Sequence, residues 1–199
     1  MYRKKETEFQ YPPVIIKIVE DIVGGGLISR KDLQGEISEL PPGVVVVKDE
    51  KGLYQVLKTA KMQAAAAANA TVYQVEKNHV FKTGDAVTVG GDFAKAANVI
   101  SAIDKSDVKF DKLTLAGTIG AAAVGDVLVL AKGAAAAGSA VPKYGDKTSE
   151  LAVTMNKVDL TVANQSSGLL IRGTVNEKTM PYPVDSAIKG RMPLIRFEN

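Results

Sequence analysis

Cysteine is absent from the 199 residues and histidine occurs once, as His79. Without thiols there is no disulfide framework, no thiolate metal site and no cysteine nucleophile, and a single imidazole removes nearly all histidine chemistry. The redox compartment is left open. Tryptophan is also absent and aromatic residues make up only 6% of the chain. A core built from Val, Ile, Leu and Ala buries less apolar area per residue, a shortfall that association with other subunits would offset. No run approaches the ~18 consecutive apolar residues of a membrane-spanning helix, and the charged start MYRKKETEFQ lacks the apolar core of a signal peptide. The expectation is a soluble protein made and assembled in the cytoplasm, with no membrane partner. Neither sign of charge dominates: 25 basic and 22 acidic residues leave a net charge of +3. The densest basic run, Arg3-Lys4-Lys5, reads as a solvated terminus, so no nucleic-acid footprint is expected.

What the chain does contain is β-patterning, alanine and glycine. In the first segment, Met1 to Pro42, the apolar positions Ile15, Ile18, Val19 and Ile22 fit a helical stripe, although the β-branched content favours strand. The spacing predicts a helix over 14–23. Gly24-Gly25-Gly26 ends it, and Pro41-Pro42 closes a segment that reads as an arm with local contacts and no core of its own. Val44 to Lys48 and Leu53 to Leu57, joined by Asp49-Glu50-Lys51-Gly52, form a β-hairpin pattern. The alanines from Gln63 to Asn69 suit a short helix, a linker or a close-packed strip equally well.

From Ala70 to Ala131, at least five short strands at regular spacing suggest a small barrel or sandwich. Gly84-Asp85-Ala86-Val87 is echoed by Gly125-Asp126-Val127-Leu128, with glycine free to take positive φ and aspartate able to accept from nearby N–H groups as a strand opens. Two related β units would suit a closed barrel, which has no exposed edges. Lys132 to Pro142 is a small-residue linker or an extended segment lying on another chain. Further strands follow at Leu151–Val153, Val158–Val162, Leu169–Val175 and Leu194–Phe197, with Asp185 as N-cap of a short helix over Ser186 to Met192. The fold class is therefore mainly β: a small β-barrel or sandwich with an N-terminal arm and a short C-terminal helix. The expected units are 1–42, 43–69, 70–131 and 132–199.

A search for chemistry excludes more than it finds. His79 has no Gly-x-Ser-x-Gly elbow to serve. Asp85, Asp92, Asp104, Asp107, Asp111 and Asp126 all stand in turn contexts where aspartate is favoured for local hydrogen bonding. Asp104-Lys105-Ser106-Asp107 lacks the glycine and glutamate of a Ca²⁺ loop, and neither Gly24-Gly25-Gly26 nor Gly117-Thr118-Ile119-Gly120 is a nucleotide fingerprint. No catalytic residue, metal or cofactor is expected, and the chain reads as a non-enzyme.

Taken in order, Val72–Val75, Phe81–Asp85, Ile100–Asp104, Asp111–Leu115, Ala123–Val129, Leu170–Val175 and Pro181–Val184 resemble the head fiber proteins of tailed phages, including those of gut Bacteroidales phages of the crAss-like type. The likeness spans roughly residues 70 to 197 and carries no catalytic signature. It implies a homotrimer on the outside of the capsid, anchored at one end to major capsid protein, with a host-surface glycan as a further contact to consider. The segment 1–42 matches least well. Its apolar residues exceed its own means of covering them, which makes Tyr11, Val14, Ile15, Ile18, Ile22, Leu27 and Leu33 the candidate capsid-docking residues. The competing reading is a small-barrel module that binds a glycan or RNA. A third, a hydrolase using Asp104 or Asp126, is the least supported.

Overall fold

The computed structural model describes residues 13–33, 37–161 and 163–198. Sixteen strands account for most of the regular structure. In chain order they are β1 (Ile15–Asp21), β2 (Gly26–Ile28), β3 (Glu39–Leu40), β4 (Val45–Lys48), β5 (Tyr54–Val56) and β6 (Thr59–Lys61). There follow β7 (Val72–Glu76), β8 (Ala86–Val89), β9 (Ala97–Asp104), β10 (Phe110–Leu115) and β11 (Val127–Ala131). The chain ends with β12 (Leu151–Thr154), β13 (Val158–Asp159), β14 (Gln165–Ser167), β15 (Leu169–Asn176), helix α1 (Ser186–Gly190) and β16 (Ile195–Glu198). They build two layers. An eight-stranded sheet runs β1-β15-β12-β4-β5-β2-β14 with β16 parallel to β15, and a six-stranded sheet runs β6-β11-β8-β9-β10-β7. A two-stranded β13-β3 ribbon lies apart from both.

The six-stranded sheet curls until its first and last strands meet, at the Met62–Val75 bridge and the Gln63 N–H to Gln74 carbonyl bond of 2.9 Å. Its inside is one apolar cluster that includes Tyr73, Phe81, Ile100, Leu113, Leu128 and Leu130. The curled sheet begins earlier than the 70–131 pattern implied, because β6 supplies one of its walls. Three residues of β6, of which Thr59 and Lys61 are polar, are too short a run to show a strand period.

The glycine–aspartate echo marks a structural repeat in which β6-β7-β8 is answered by β9-β10-β11. Gly84 and Gly125 have φ of +92° and +90°. Gly84 N–H bonds the Ile100 carbonyl at 2.9 Å and Ile100 N–H bonds the Asp85 carbonyl at 2.8 Å; Gly125 N–H bonds the Met62 carbonyl at 2.9 Å and Met62 N–H bonds the Asp126 carbonyl at 2.7 Å. The registers obey the same two-fold relation. Lys61 faces Val127 as Val99 faces Ala86, while Tyr73 pairs with its own counterpart Leu113 and Thr88 with its counterpart Val129. A pseudo-two-fold axis thus passes between the members of each of the last two pairs.

Strands β8 and β11 are buried on both faces. Leu128 and Leu130 point into the curled sheet, while Val127, Val129 and Ala131 join the cluster between the layers with Val45, Val47, Leu151 and Val153. On the far side of the large sheet Val44, Val46, Val56, Ala152 and Leu169 pack with Ile28, Leu33 and Leu40. The four consecutive valines Val44 to Val47 are explained by this, since a strand covered on both faces reads as a continuous apolar run.

The N-terminal expectation is corrected: residues 15–21 form a strand, not a helix, and pair antiparallel with β15. Five of the seven residues Val14 to Glu20 are β-branched, and the pairing with β15 supplies the ladder that a solitary helix would lack. Residues 64–69 form neither helix nor strand; Ala66 is tied to Ala122 by two backbone hydrogen bonds of 2.8 and 3.0 Å. The hairpin β4-β5 forms as the pattern indicated, and Asp185 caps α1 by accepting from Ile188 N–H at 2.8 Å. Of the strand expected over 158–162, β13 covers Val158–Asp159, and Val162 lies outside the described residues.

Tyr73 is fully buried, with its hydroxyl 3.0 Å from the carbonyl oxygens of both Ala70 and Gly120, and it accepts from Ile119 N–H at 3.3 Å. Tyr73→Phe leaves those groups without that partner inside an apolar cluster, and equilibrium denaturant unfolding should show a loss of about 1–3 kcal/mol.

Candidate functional sites

Three places carry features beyond packing. The first is β1. It is the terminal strand of the large sheet, and all of its residues except half-buried Ile15 are exposed. Ile16 is 47% exposed, Ile18 52%, Val19 51% and, just beyond the strand, Val23 97%. Register irregularities between Ile15 and Lys17, Ile18 and Glu20, and Glu20 and Asp21 break the simple alternation. Among the described residues no strand pairs with its outer edge.

The seven residues expected to dock divide. Tyr11 lies outside the described residues. Leu33 is buried in the far-side cluster and so belongs to the core, not to an open face. Val14, Ile15 and Ile22 are half-buried, and Ile15 packs on the cluster between the layers. Ile18 and Leu27 are exposed. Ile16, Val19 and Val23 are exposed as well and are not among the seven; Ile16 and Val23 fall off the helical stripe because a period of 3.6 was applied to a stretch that is extended.

The second place is a charge cluster that joins the layers. Lys58, between β5 and β6, and Asp85, at the turn into β8, form an ion pair of 2.7 Å with side chains 0% and 2% exposed. Lys143 reaches Asp85 at 3.5 Å and Asp32 at 2.6 Å, and the Tyr144 hydroxyl donates a short hydrogen bond to Asp32. Burial pushes the Lys58 ammonium below the usual lysine range, opposed by the Asp85 carboxylate. Burial also works against ionisation of Asp32, but hydrogen bonds from Lys143 and Tyr144 prevail and hold its carboxyl below the ordinary value. The Tyr144 hydroxyl is pushed up, first by burial and then by the bond to Asp32.

Beside this cluster opens a groove of about 870 Å³ between the β4-β5 hairpin loop and residues 141–148, with Ser29, Leu53, Gln55 and Pro142 among its lining residues. Lys31, Lys51, Lys132, Lys143 and Lys147 also line it, against Asp49, Glu50 and Asp146.

The third place is His79. Its Nδ1 accepts from Phe81 N–H at 3.2 Å, which leaves the proton on Nε2, 3.2 Å from Asp111. Lys77 donates to the same carboxylate at 2.6 Å. The histidine is therefore buried and hydrogen-bonded, and it sets the segment after β7 against β10. Five of the six aspartates singled out from the sequence accept from a backbone N–H two or three residues away: Asp85, Asp92, Asp104, Asp107 and Asp126. Asp111 is the exception. Among the described residues no three ligating groups converge in a way that could hold a metal ion.

Two outcomes follow from this geometry. Replacing Asp85 by Asn leaves the Lys58 ammonium buried without its counter-charge, and chemical denaturation should show a loss of about 3–5 kcal/mol. For Asp32, whose pKa is depressed on folding, the unfolded chain takes up its proton near 3.8 before the folded one does. Its contribution is complete above that value and disappears as pH falls through the lower folded pKa. An Asp32→Asn variant should accordingly be less stable at neutral pH and show a shallower decline between about pH 5 and 2 in thermal melts.

Comparison of the chain with protein-family models, with curated proteins and with solved structures gave no match.

Proposed function

We propose that the chain is a non-enzymatic structural virion protein, a homotrimeric head fiber or decoration protein held on the outer surface of a phage capsid, with major capsid protein as its partner. The observation that carries this reading is the exposed apolar strand β1. Isolated surface leucines or valines need no explanation, but Ile16, Ile18, Val19 and Val23 fall within eight residues on one edge of a sheet. Three of the seven residues of β1, Lys17, Glu20 and Asp21, are charged and its register is irregular, features that limit strand-to-strand pairing along an edge. What invites a partner is the exposed apolar surface of Ile16, Ile18, Val19 and Val23 between those charges. A shell protein that adds contacts along this edge would bury the apolar side chains and pair the open backbone groups in one step.

Glycine at 173 lets β1 lie close on β15 and so holds the exposed strand in place. A methyl group there would overlap the backbone carbonyl oxygen of Lys17. Self-association accords with the scarcity of large core side chains noted from composition, since obligate interfaces commonly exceed ~2,000 Å².

The full chain in light scattering on a size-exclusion column should give a mass three times 21.0 kDa, and it should cosediment with shells of the encoding phage. Ile18→Glu with Val19→Glu should abolish cosedimentation while leaving the melting temperature within a few degrees, because both side chains are about half-exposed. A monomer that still binds shells through a different surface would overturn the assignment of β1. Gly173→Ala, by lifting β1 off β15, should cost about 1–3 kcal/mol and remove amide-exchange protection from 15–21.

A further inference from the structure

We infer that the lysine-rimmed groove between the β4-β5 hairpin loop and residues 141–148 is a binding site for an acidic oligosaccharide. The inference is independent of capsid docking, because two strands, β15 and β12, separate β1 from the hairpin in the large sheet.

The charges around the groove are unequal in availability. Five lysines face three acids, and with Lys143 held by Asp32 and Asp85, four lysines are left against three acids. Two of the acids are turned into their own loops. Asp49 accepts from Lys51 N–H and Leu53 N–H, both at 2.9 Å, and from the Gln55 amide at 2.8 Å. Asp146 accepts from Thr148 N–H at 2.7 Å and from the Thr148 and Ser149 hydroxyls at 2.8 and 3.1 Å. On the basic side only Lys143 is taken up by carboxylates, those of Asp32 and Asp85. Lys31, Lys51 and Lys132 are exposed and have no carboxylate within ion-pair distance among the described residues. Three ammonium groups from three separate segments therefore stand around one concavity outside ion-pair distance of any described carboxylate, with Glu50 the one exposed acid of the lining that is not turned into its own loop.

The shape and the remaining lining select among anions. The groove lies in the size range of ligand sites, roughly 300–1,000 Å³, and its lysines come from segments far apart in the chain, an arrangement that an extended anion can span. The rest of the lining includes neutral hydrogen-bonding groups, Ser29, Thr148 and Gln55, whose amide N–H is held by Asp49, and apolar Leu53 and Pro142. A ligand that suits this mixture carries negative charges, hydroxyls and apolar C–H faces together, which describes a chain of uronic acid residues. Single-stranded nucleic acid is a poorer fit because base binding relies on open aromatic faces. The one aromatic ring in the lining, Tyr144, has Lys143 5.5 Å from its centroid and its hydroxyl tied to Asp32.

The test titrates the full chain, by calorimetry at low salt, with tetragalacturonate, neutral maltotetraose, tetrauridylate and a tetraglutamate peptide. Tetragalacturonate should bind, weaken as salt is raised, and bind at least about tenfold more tightly than the other three. The double variant Lys51→Glu, Lys132→Glu, with both positions exposed, should keep the parent's melting temperature and lose at least about tenfold in affinity. The Ile18→Glu, Val19→Glu variant should bind the glycan as the parent does, which separates this site from shell docking. No binding of tetragalacturonate, an affinity unchanged in the lysine variant, or equal binding of tetrauridylate or tetraglutamate would each overturn the assignment.

Discussion

Strands β8 and β11 must serve two cores at once, and the rest of the fold is arranged around that requirement. Their inward side chains, Val87, Val89, Leu128 and Leu130, close the curled sheet, and their outward ones, Ala86, Val127, Val129 and Ala131, form the surface on which the large sheet lies. A side chain of this size contributes about 1.5–3 kcal/mol when removed from water. The antiparallel pairing of Val89 with Leu128 and of Val87 with Leu130 keeps both sets in phase. A slip of one residue would send the inner set outward and the outer set inward, and neither core would fill. The pseudo-two-fold axis passes through this same wall, so the doubly buried pair is made of equivalent strands from the two repeats.

The charge cluster reads differently once the repeat is recognised. Asp85 and Asp126 occupy equivalent turns and accept equivalent backbone hydrogen bonds, at 3.2 and 2.9 Å. Only Asp85 lies where the large sheet approaches, and there it has acquired Lys58 and Lys143. Its partner in the other repeat remains a plain turn residue. Desolvating a lysine and an aspartate is expensive, and an apolar pair in their place could be as stable. What the ion pair adds is direction: it ties the curled sheet, the residue before β6 and the chain after β11 to one another in one geometry. The groove rimmed by Lys31, Lys51 and Lys132 opens beside that fixed point.

Much of the fold was legible locally. The hairpin at Val44–Leu57, the glycine–aspartate turns, the strands over 72–131 and the cap at Asp185 all rest on interactions spanning a few residues, and such signals survive in a short window. The stretch Val14 to Val23 was misread because its apolar spacing fits a helix, while the strand depends on β15, whose paired residues lie 149 to 160 positions away. The groove was not legible at all. Lys31, Lys51 and Lys132 belong to three different segments, and no sequence window contains them together.

The sequence by itself determined that the chain is mainly β, that it lacks thiol and nearly all imidazole chemistry, and where its tight turns fall, because composition, period-two patterning and turn propensity act over neighbouring residues. The tertiary structure alone decided that β6 completes the curled sheet, that β1 is the exposed apolar end strand of the large sheet among the described residues, and that Asp85 is a buried ion-pair partner while Asp126 is not. Those outcomes turn on which distant segment covers a given face, and burial is a property of the neighbours a residue meets, not of its own side chain.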